Sequence, residues 1–343
     1  MFMSSAKGIG FAVVGLGSIA QSSILPAFAR SKHAKLAAVV SRDKEKAARL
    51  TRKFEVKNFY SQSEYAACLA NSEVSAVYIA TPPGEHAIST IASAEAGKHV
   101  LCEKPLAATS QQSAQMVEAC HKHSVLLMTA YRKYFEPSIV YLKKLIQSDD
   151  LGRIDAMHTT FSELYRPGVS PAWLIDKTLS GGGPLTDLGV YCVNTTRWIA
   201  GENPVEASAQ SWAHDASRFR TVEEGISFRL HFPSGMIVNG ISTYSAAPSS
   251  FLYVQGAKGW AMLSPAYPFE EERHLTAKIK GRIVARSFKV MDEFAPQLDA
   301  FSEAIQRGRS IELDGREGHR DIMIIEAIYK SARENKPAAI GNL

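Results

Sequence analysis

The sequence predicts an α/β domain with a doubly wound parallel sheet, followed by an α+β domain with a large, mostly antiparallel, open-faced sheet. Three observations predict it. Short apolar runs alternate with helical segments over residues 1–131, which implies parallel strands joined by right-handed crossovers. From residue 132 to 343 the strand-like runs are longer and follow one another across short turns, as in an antiparallel sheet. The length, 343 residues, is roughly two domains at about 150 residues each.

Taken in order, Ile9 to Gly17 is a short apolar run ending in glycines, suited to a strand buried on both faces. A helix is expected from Ile19 to Arg30, a strand over Lys35 to Arg42 and a charged helix over Asp43 to Lys53. Ser61 and Glu64 have capping-box spacing and open another helix. Ala76 to Thr81 is a strand stopped by Pro82 and Pro83, and Glu85 to Gly97 a helix with a glycine stop. His99 to Glu103 and Val125 to Tyr131 are strands, with a helix from Thr109 to His121 between them. Beyond a helix at Pro137 to Gln147, strands are expected at Ile154–Phe161, Val205–Trp212, Gly225–Phe232, Met236–Tyr244, Phe251–Leu263 and His274–Ala285. Ile226, Phe228 and Leu230 alternate with polar neighbours, so one face is apolar. Helices over Pro296–Gly308 and His319–Asn335 close the chain.

Composition excludes several classes. Hydrophobic residues are 45% and charged residues 21%, which rules out disordered, collagenous and disulfide-stapled chains. Lys plus Arg is 39 against 34 acids, with no basic run of five. Nucleic-acid binding needs a concentrated basic stripe; a mild excess fits an anionic small molecule. Cys68, Cys102, Cys120 and Cys192 form no CxxC pair and read as free thiols of a cytoplasmic protein. Met1 to Gly10 has one lysine and no apolar core, so no secretory leader is expected. No run reaches the ~18 apolar residues of a membrane helix. His121 and His123 lack ligand spacing with any cysteine or acid, so no metal site is expected.

Gly15-Leu16-Gly17-Ser18-Ile19-Ala20 is G-x-G-x-x-A, after a strand and opening a helix. Gly15 makes the tight turn, Gly17 lets a pyrophosphate reach backbone amides, and Ala20 permits close helix–strand packing. The helix N-terminus favours the phosphate charge. The alternative is a plain tight turn. An NAD-specific site puts an acid at the end of the second strand. Here stand Ser41 and Arg42, with Lys46 one turn later, so the 2′-phosphate of NADP is favoured over NAD. The alternative is a solvated helix start.

Glu103-Lys104-Pro105 ends a strand on the ligand side, which projects Lys104 into the cleft; alone, such a lysine is commonly a surface residue. Gly181-Gly182-Gly183-Pro184 precedes a helix with Asp187 and Tyr191 at i and i+4, on one face. Three glycines permit close approach of backbone to a ligand. Acid and phenol together can bind a polyol and move its proton. The alternative is an acid near the helix's positive end with a half-buried tyrosine.

These motifs together resemble the glucose–fructose oxidoreductase / inositol dehydrogenase (Gfo/Idh/MocA) family. The matching stretches are GLGSIA at 15–20, TPPGEH at 81–86, GKHVLCEKPLA at 97–107, AYRKYFEP at 130–137 and GGGPLTDLGVYCVNTTRW at 181–198, with a closing match over the last two helices. Tyr191 stands where inositol-dehydrogenase-like members carry histidine, so the chain looks like the glucose–fructose oxidoreductase branch. The resemblance implies that Lys104 and Tyr191 are catalytic, that Asp187 helps bind substrate, and that NADP is the cofactor. It implies that Thr81, Pro82, His86 and Glu103 line the cofactor groove, with Arg132 on the substrate side and Trp173 at the nicotinamide edge. Two departures from glucose–fructose oxidoreductase stand out: Leu174 stands where the resemblance implies an arginine, and with only a few residues before the first strand an N-terminal arm over the cofactor is not expected. An exchangeable cofactor is therefore expected.

The reading is an NADP-dependent oxidoreductase acting on a cyclic sugar, at C1 of an aldopyranose. Its alternatives are a glucose–fructose or aldose–aldose oxidoreductase that never releases NADP, and a non-catalytic NADP-binding regulator. Neither nucleic acid nor membrane is an expected partner. An open sheet face carrying Phe and Tyr side chains predicts a homodimer or homotetramer.

Overall fold

The computed structural model describes residues 8–341, so most of the expectation about Met1 to Gly10 lies outside the described residues. The chain forms two compact units. The first comprises the chain up to Ala107, Gln111–Arg132 and Asp292–His319; the second comprises Ala108–Ser110, Lys133–Met291 and the chain from Arg320.

The first unit holds a parallel sheet of β1 (Ile9–Val14), β2 (Ala34–Ser41), β3 (Asn58–Ser61), β4 (Ala76–Ile79), β5 (His99–Cys102) and β6 (Leu127–Thr129), in the order β3-β2-β1-β4-β5-β6. This is the doubly wound arrangement, whose order reverses beside β1. β1 and β4 are almost wholly buried, as their unbroken apolar runs require. Asp43 caps the helix Lys44–Lys53 through the Lys46 amide at 2.9 Å, and the Ser61/Glu64 capping box forms as expected.

Three local differences have physical causes. The helix expected over Ile19 to Arg30 is a π-turn, Ala20–Ile24, followed by a short α-turn, Leu25–Phe28; Pro26 lacks the N–H that a continuous α-helix requires. Edge strand β3 has no apolar run to announce it. The helix Phe294–Arg307 completes the first unit: Phe301 is buried with its ring 6.1 Å from Phe11, and Asp299 accepts hydrogen bonds from Ser31 and from the Lys32 and His33 amides. The chain thus passes into the second unit after Arg132 and returns to the first at Asp292.

In the second unit nine strands form one sheet among the described residues. They are β7 (Ile154–Leu164), β8 (Glu206–Trp212), β9 (Gly225–His231), β10 (Ile237–Thr243), β11 (Ser245–Gly256), β12 (Trp260–Ser264), β13 (Arg273–Ile279), β14 (Arg282–Phe288) and β15 (Ala338–Ala339), in the order β14-β13-β12-β11-β7-β10-β9-β8-β15. Pairing is antiparallel except between β7 and β10. Ile226, Phe228 and Leu230 are buried, as their alternation predicts. Two runs read as single strands are hairpins. One turns at 256–259; the other turns at Lys280 and Gly281, whose φ values of 49° and 78° make a two-residue primed turn.

The helix Val190–Ala200 is buried along nearly its whole length. Arg197 and Asn194 on it meet Asp321 at 2.5 and 2.8 Å, and Arg197 also reaches Asn203. Asp321 is fully buried and Arg197 is 4% exposed.

Candidate active site

In the first unit the turn after β1 has the shape a dinucleotide needs. Gly15 has φ +91°, and a Cβ there would sit 2.6 Å from the Ala80 carbonyl oxygen, so only glycine fits. Gly17 is exposed, and nothing lies within 4 Å of where its Cβ would stand. That open cradle lies at the N-terminal end of the helical segment that starts at Ala20. Leu16 is buried and can offer only its backbone; Ser18 is exposed and Ile19 half-buried. At the end of β4, the buried Thr81 Oγ1 has no hydrogen-bond partner. A free cradle and an orphaned hydroxyl fit a nicotinamide dinucleotide.

Beyond β2, Ser41 Oγ accepts from the Asp43 amide at 3.1 Å. Arg42 places one guanidinium nitrogen on both oxygens of Glu85, at 2.8 and 2.9 Å. Lys46 lies 3.3 Å from Asp43.

After β5, Lys104 is half-buried and its amide donates to Glu103 Oε2 at 3.2 Å. Tyr78 donates to Glu103 Oε1 at 2.8 Å. Burial raises the Glu103 carboxyl above its ordinary range, opposed by the Lys104 and Arg132 charges. Two expected liners lie beneath the surface. Arg132 is buried in an ion pair with Glu293 at 2.5 Å. His86 has no exposed surface: Nε2 lies 2.7 Å from the Thr81 carbonyl, and Nδ1 lies 3.1 Å from those of Pro105 and Leu106. It ties the two strand ends together rather than lining a groove, and burial lowers its imidazole pKa. Pro82 is half-buried.

In the second unit the glycine run serves packing, not ligand approach. A Cβ on Gly182 would meet the Tyr329 hydroxyl at 2.0 Å, and one on Gly183 the Glu223 carbonyl oxygen at 2.2 Å. Glu223 accepts from the Gly183 and Leu185 amides, at 3.0 and 3.1 Å, and from Tyr329 at 2.8 Å. It thereby caps the π-helical turn Leu185–Gly189 that carries Asp187. Irregular turns of this kind recur at functional sites.

Asp187 is half-buried and accepts a hydrogen bond from Tyr244. Tyr191, 7% exposed, packs on Phe161 and Tyr267 at 5.8 and 6.1 Å between ring centroids. Trp173 is half-buried in the turn Ala172–Ile175. Sequence reasoning missed Tyr244, Glu223 and Glu163. Burial, with the charges of Asp187 and Glu271, raises the Glu163 carboxyl. No motif marks these residues; for Tyr244 the only available signal was the β-strand parity it shares with buried Val238 and Ser242.

Among the described residues no helix is long and apolar enough to cross a membrane. All four cysteines are free and buried. Residues 9–131 match the model of an oxidoreductase family with an NAD-binding Rossmann fold, and residues 139–262 match the GFO/IDH/MocA C-terminal domain. The chain belongs to the Gfo/Idh/MocA oxidoreductase family. Within this family, it is 30% identical over 328 residues to a D-xylose 1-dehydrogenase [NADP(+)] of Haloarcula marismortui, covering 94% of this chain and 91% of the relative. A trans-1,2-dihydrobenzene-1,2-diol dehydrogenase of Mus musculus is 29% identical over 73% of each chain. The solved aldose–aldose oxidoreductase of Caulobacter crescentus, complexed with glycerol, superposes with a TM-score of 0.92 at 34% identity. That match covers 97% of this chain and all of the other.

Proposed function

We propose that this Gfo/Idh/MocA protein is an NADP-dependent oxidoreductase that interconverts a cyclic aldose and its C1-oxidised form. One observation carries the reading: a relative that matches nine-tenths of the chain is named as an NADP-linked D-xylose 1-dehydrogenase. This chain has Lys104, Asp187 and Tyr191 where the resemblance puts the reacting groups. NADP, when bound, supplies the hydride acceptor or donor. Gly15, Gly17 and the amides of Ser18 and Ile19 would hold its pyrophosphate, and the Thr81 hydroxyl would find a partner there. Asp187 holds sugar hydroxyls, Tyr191 takes or returns the hydroxyl proton, and Lys104 supplies positive charge to the reacting hydroxyl. The test is a panel of aldoses and polyols with NADP and NAD, followed at the reduced-nicotinamide absorbance. No turnover of any aldose with either cofactor overturns the reading.

Arg42 carries the cofactor preference. Its pair with Glu85 is exposed, 68% on the arginine side, and such a pair contributes at most about 1 kcal/mol. A charge-assisted phosphate contact contributes about 1.5–3 kcal/mol, so the 2′-phosphate wins the guanidinium. Arg42→Ala weakens NADP roughly ten- to a hundredfold and leaves NAD nearly unchanged. Equal losses in titrations with both cofactors would remove the assignment.

A second reading is favoured by the TM-score of 0.92 to the aldose–aldose oxidoreductase: a cofactor kept through both half-reactions. Protein purified without added cofactor then absorbs in the reduced-nicotinamide band, whereas an exchangeable site does not.

We also propose assembly through the open sheet face. Ile241 and Met262 are 45% and 41% exposed, with Phe251, Tyr253 and Trp260 half-exposed on the same side. A two-fold pairing buries such a patch. Light scattering at micromolar concentration should give a dimer or tetramer; a mass of 37.5 kDa rejects this. Four buried free thiols favour a reducing compartment, the cytoplasm.

A further inference from the structure

We infer that Tyr244 is a positioning residue for the sugar-binding carboxylate: its hydroxyl, locked in place by the sheet and by aromatic neighbours, fixes the rotation of Asp187. The inference rests on the proposed function for the sugar and on the geometry for the contact.

Tyr244 lies between β10 and β11, and the backbone holds it from both sides. Its amide donates to the Glu224 carbonyl at 2.8 Å, and the Tyr165 amide donates to its carbonyl at 2.8 Å. The ring is 3% exposed. It stacks on Phe219 at 6.5 Å and leans on Tyr165 at 6.2 Å between centroids. A ring held this way presents its oxygen at a nearly fixed point. That oxygen donates to Asp187 Oδ2 at 2.9 Å.

Asp187 sits in the π-helical turn Leu185–Gly189 and is partly open to solvent, and Tyr244 is one of the groups that hold its carboxylate. Glu223 fixes the backbone of that turn through the Gly183 and Leu185 amides. Glu223 acts on the backbone that carries Asp187, and Tyr244 acts on the carboxylate itself, through Oδ2. The other titratable groups of this neighbourhood are Glu163 on β7, Arg166, Glu223, Glu271 and Tyr329. Burial, with the Asp187 and Glu223 charges, pushes the Tyr244 phenol well above its usual range. That direction keeps the phenol a hydrogen-bond donor at neutral pH.

Hydrogen bonds to charged groups are strong enough to orient a ligand-binding carboxylate, and small displacements at a binding constellation are costly. Tyr244→Phe removes one oxygen and keeps the ring packing. The sugar KM should rise tenfold or more, while kcat changes by less than about threefold and NADP affinity is unaltered. In an Asp187→Ala background the same substitution should change the sugar KM by less than about twofold, because no acceptor remains to be positioned. Equal effects in both backgrounds, or a uniform fall in kcat and cofactor affinity, overturn the inference, since a purely structural role behaves that way. A crystal structure of Tyr244→Phe supplies a readout that does not depend on the substrate. The Asp187 carboxylate should turn away from its position in the unmodified protein, and an unchanged carboxylate overturns the inference. Failure of the unmodified protein to turn over any aldose counts instead against the proposed function, and the crystallographic comparison still decides the role of Tyr244.

Discussion

Tyr191→Phe lowers kcat by about a hundredfold or more and leaves NADP affinity within about twofold. A positioned proton donor or acceptor contributes 10²–10⁴ in rate, and a hundredfold is about 2.7 kcal/mol of barrier. The substitution isolates chemistry from packing. The Tyr191 ring is enclosed by Phe161 and Tyr267, and the Tyr267 hydroxyl is itself tied to Thr159 at 2.6 Å. A phenylalanine keeps those ring contacts and loses only the oxygen proposed to move the proton. Lys104→Ala should cost at least as much in kcat, with the fold intact, since Lys104 is half-buried at a strand end. Steady-state kinetics on the best aldose of the panel checks both. Near-normal kcat for Tyr191→Phe would move the acid/base role elsewhere, and Lys104 is the next candidate.

Asp321→Ala should destabilise the second unit by about 3–5 kcal/mol. Asp321 is 0% exposed and receives Arg197 at 2.5 Å and Asn194 at 2.8 Å. Removing the carboxylate strands a buried guanidinium, and an uncompensated buried charge costs far more than the intact pair contributes. Both partners lie on Val190–Ala200, the helix that carries Tyr191, so the damage centres on that helix. Asp321→Asn keeps hydrogen-bonding capacity and loses the charge, so its loss should be smaller. Urea midpoints read by near-ultraviolet circular dichroism give the comparison. A shift below about 1 kcal/mol for the alanine variant would mean that water or a neighbouring side chain takes over the guanidinium.

The sequence by itself determined the doubly wound sheet, the dinucleotide turn and the helix with Asp187 and Tyr191. Each of these is written within about ten residues: an apolar run, glycines at fixed offsets, a proline at a helix start, a four-residue spacing. Family motifs then attached roles to those positions. Local signals also determined that 225–244 would be a hairpin, because one face alternates and Phe232 to Gly235 turns.

Tertiary structure alone decided which residues meet across long stretches of chain. No pattern near Gly182 and Gly183 announces that Tyr329 and Glu223 will fill the space a Cβ would need. The local signal reads only as freedom for a ligand. His86 and Arg132 look like groove residues in their motifs, yet burial turns one into a tie between strand ends and the other into half of an ion pair. Phe294–Arg307 follows the second sheet in the chain and packs in the first unit, because Phe301 and Asp299 find their partners at Phe11 and at 31–33. Tyr244 belongs to the same class. The strand that leads to it was legible, but its hydroxyl acquires meaning only when β10 is laid beside β7 in parallel and the turn at Asp187 is brought against that face. Contacts between residues far apart in sequence depend on the packing of the whole chain, and no window of ten residues contains them.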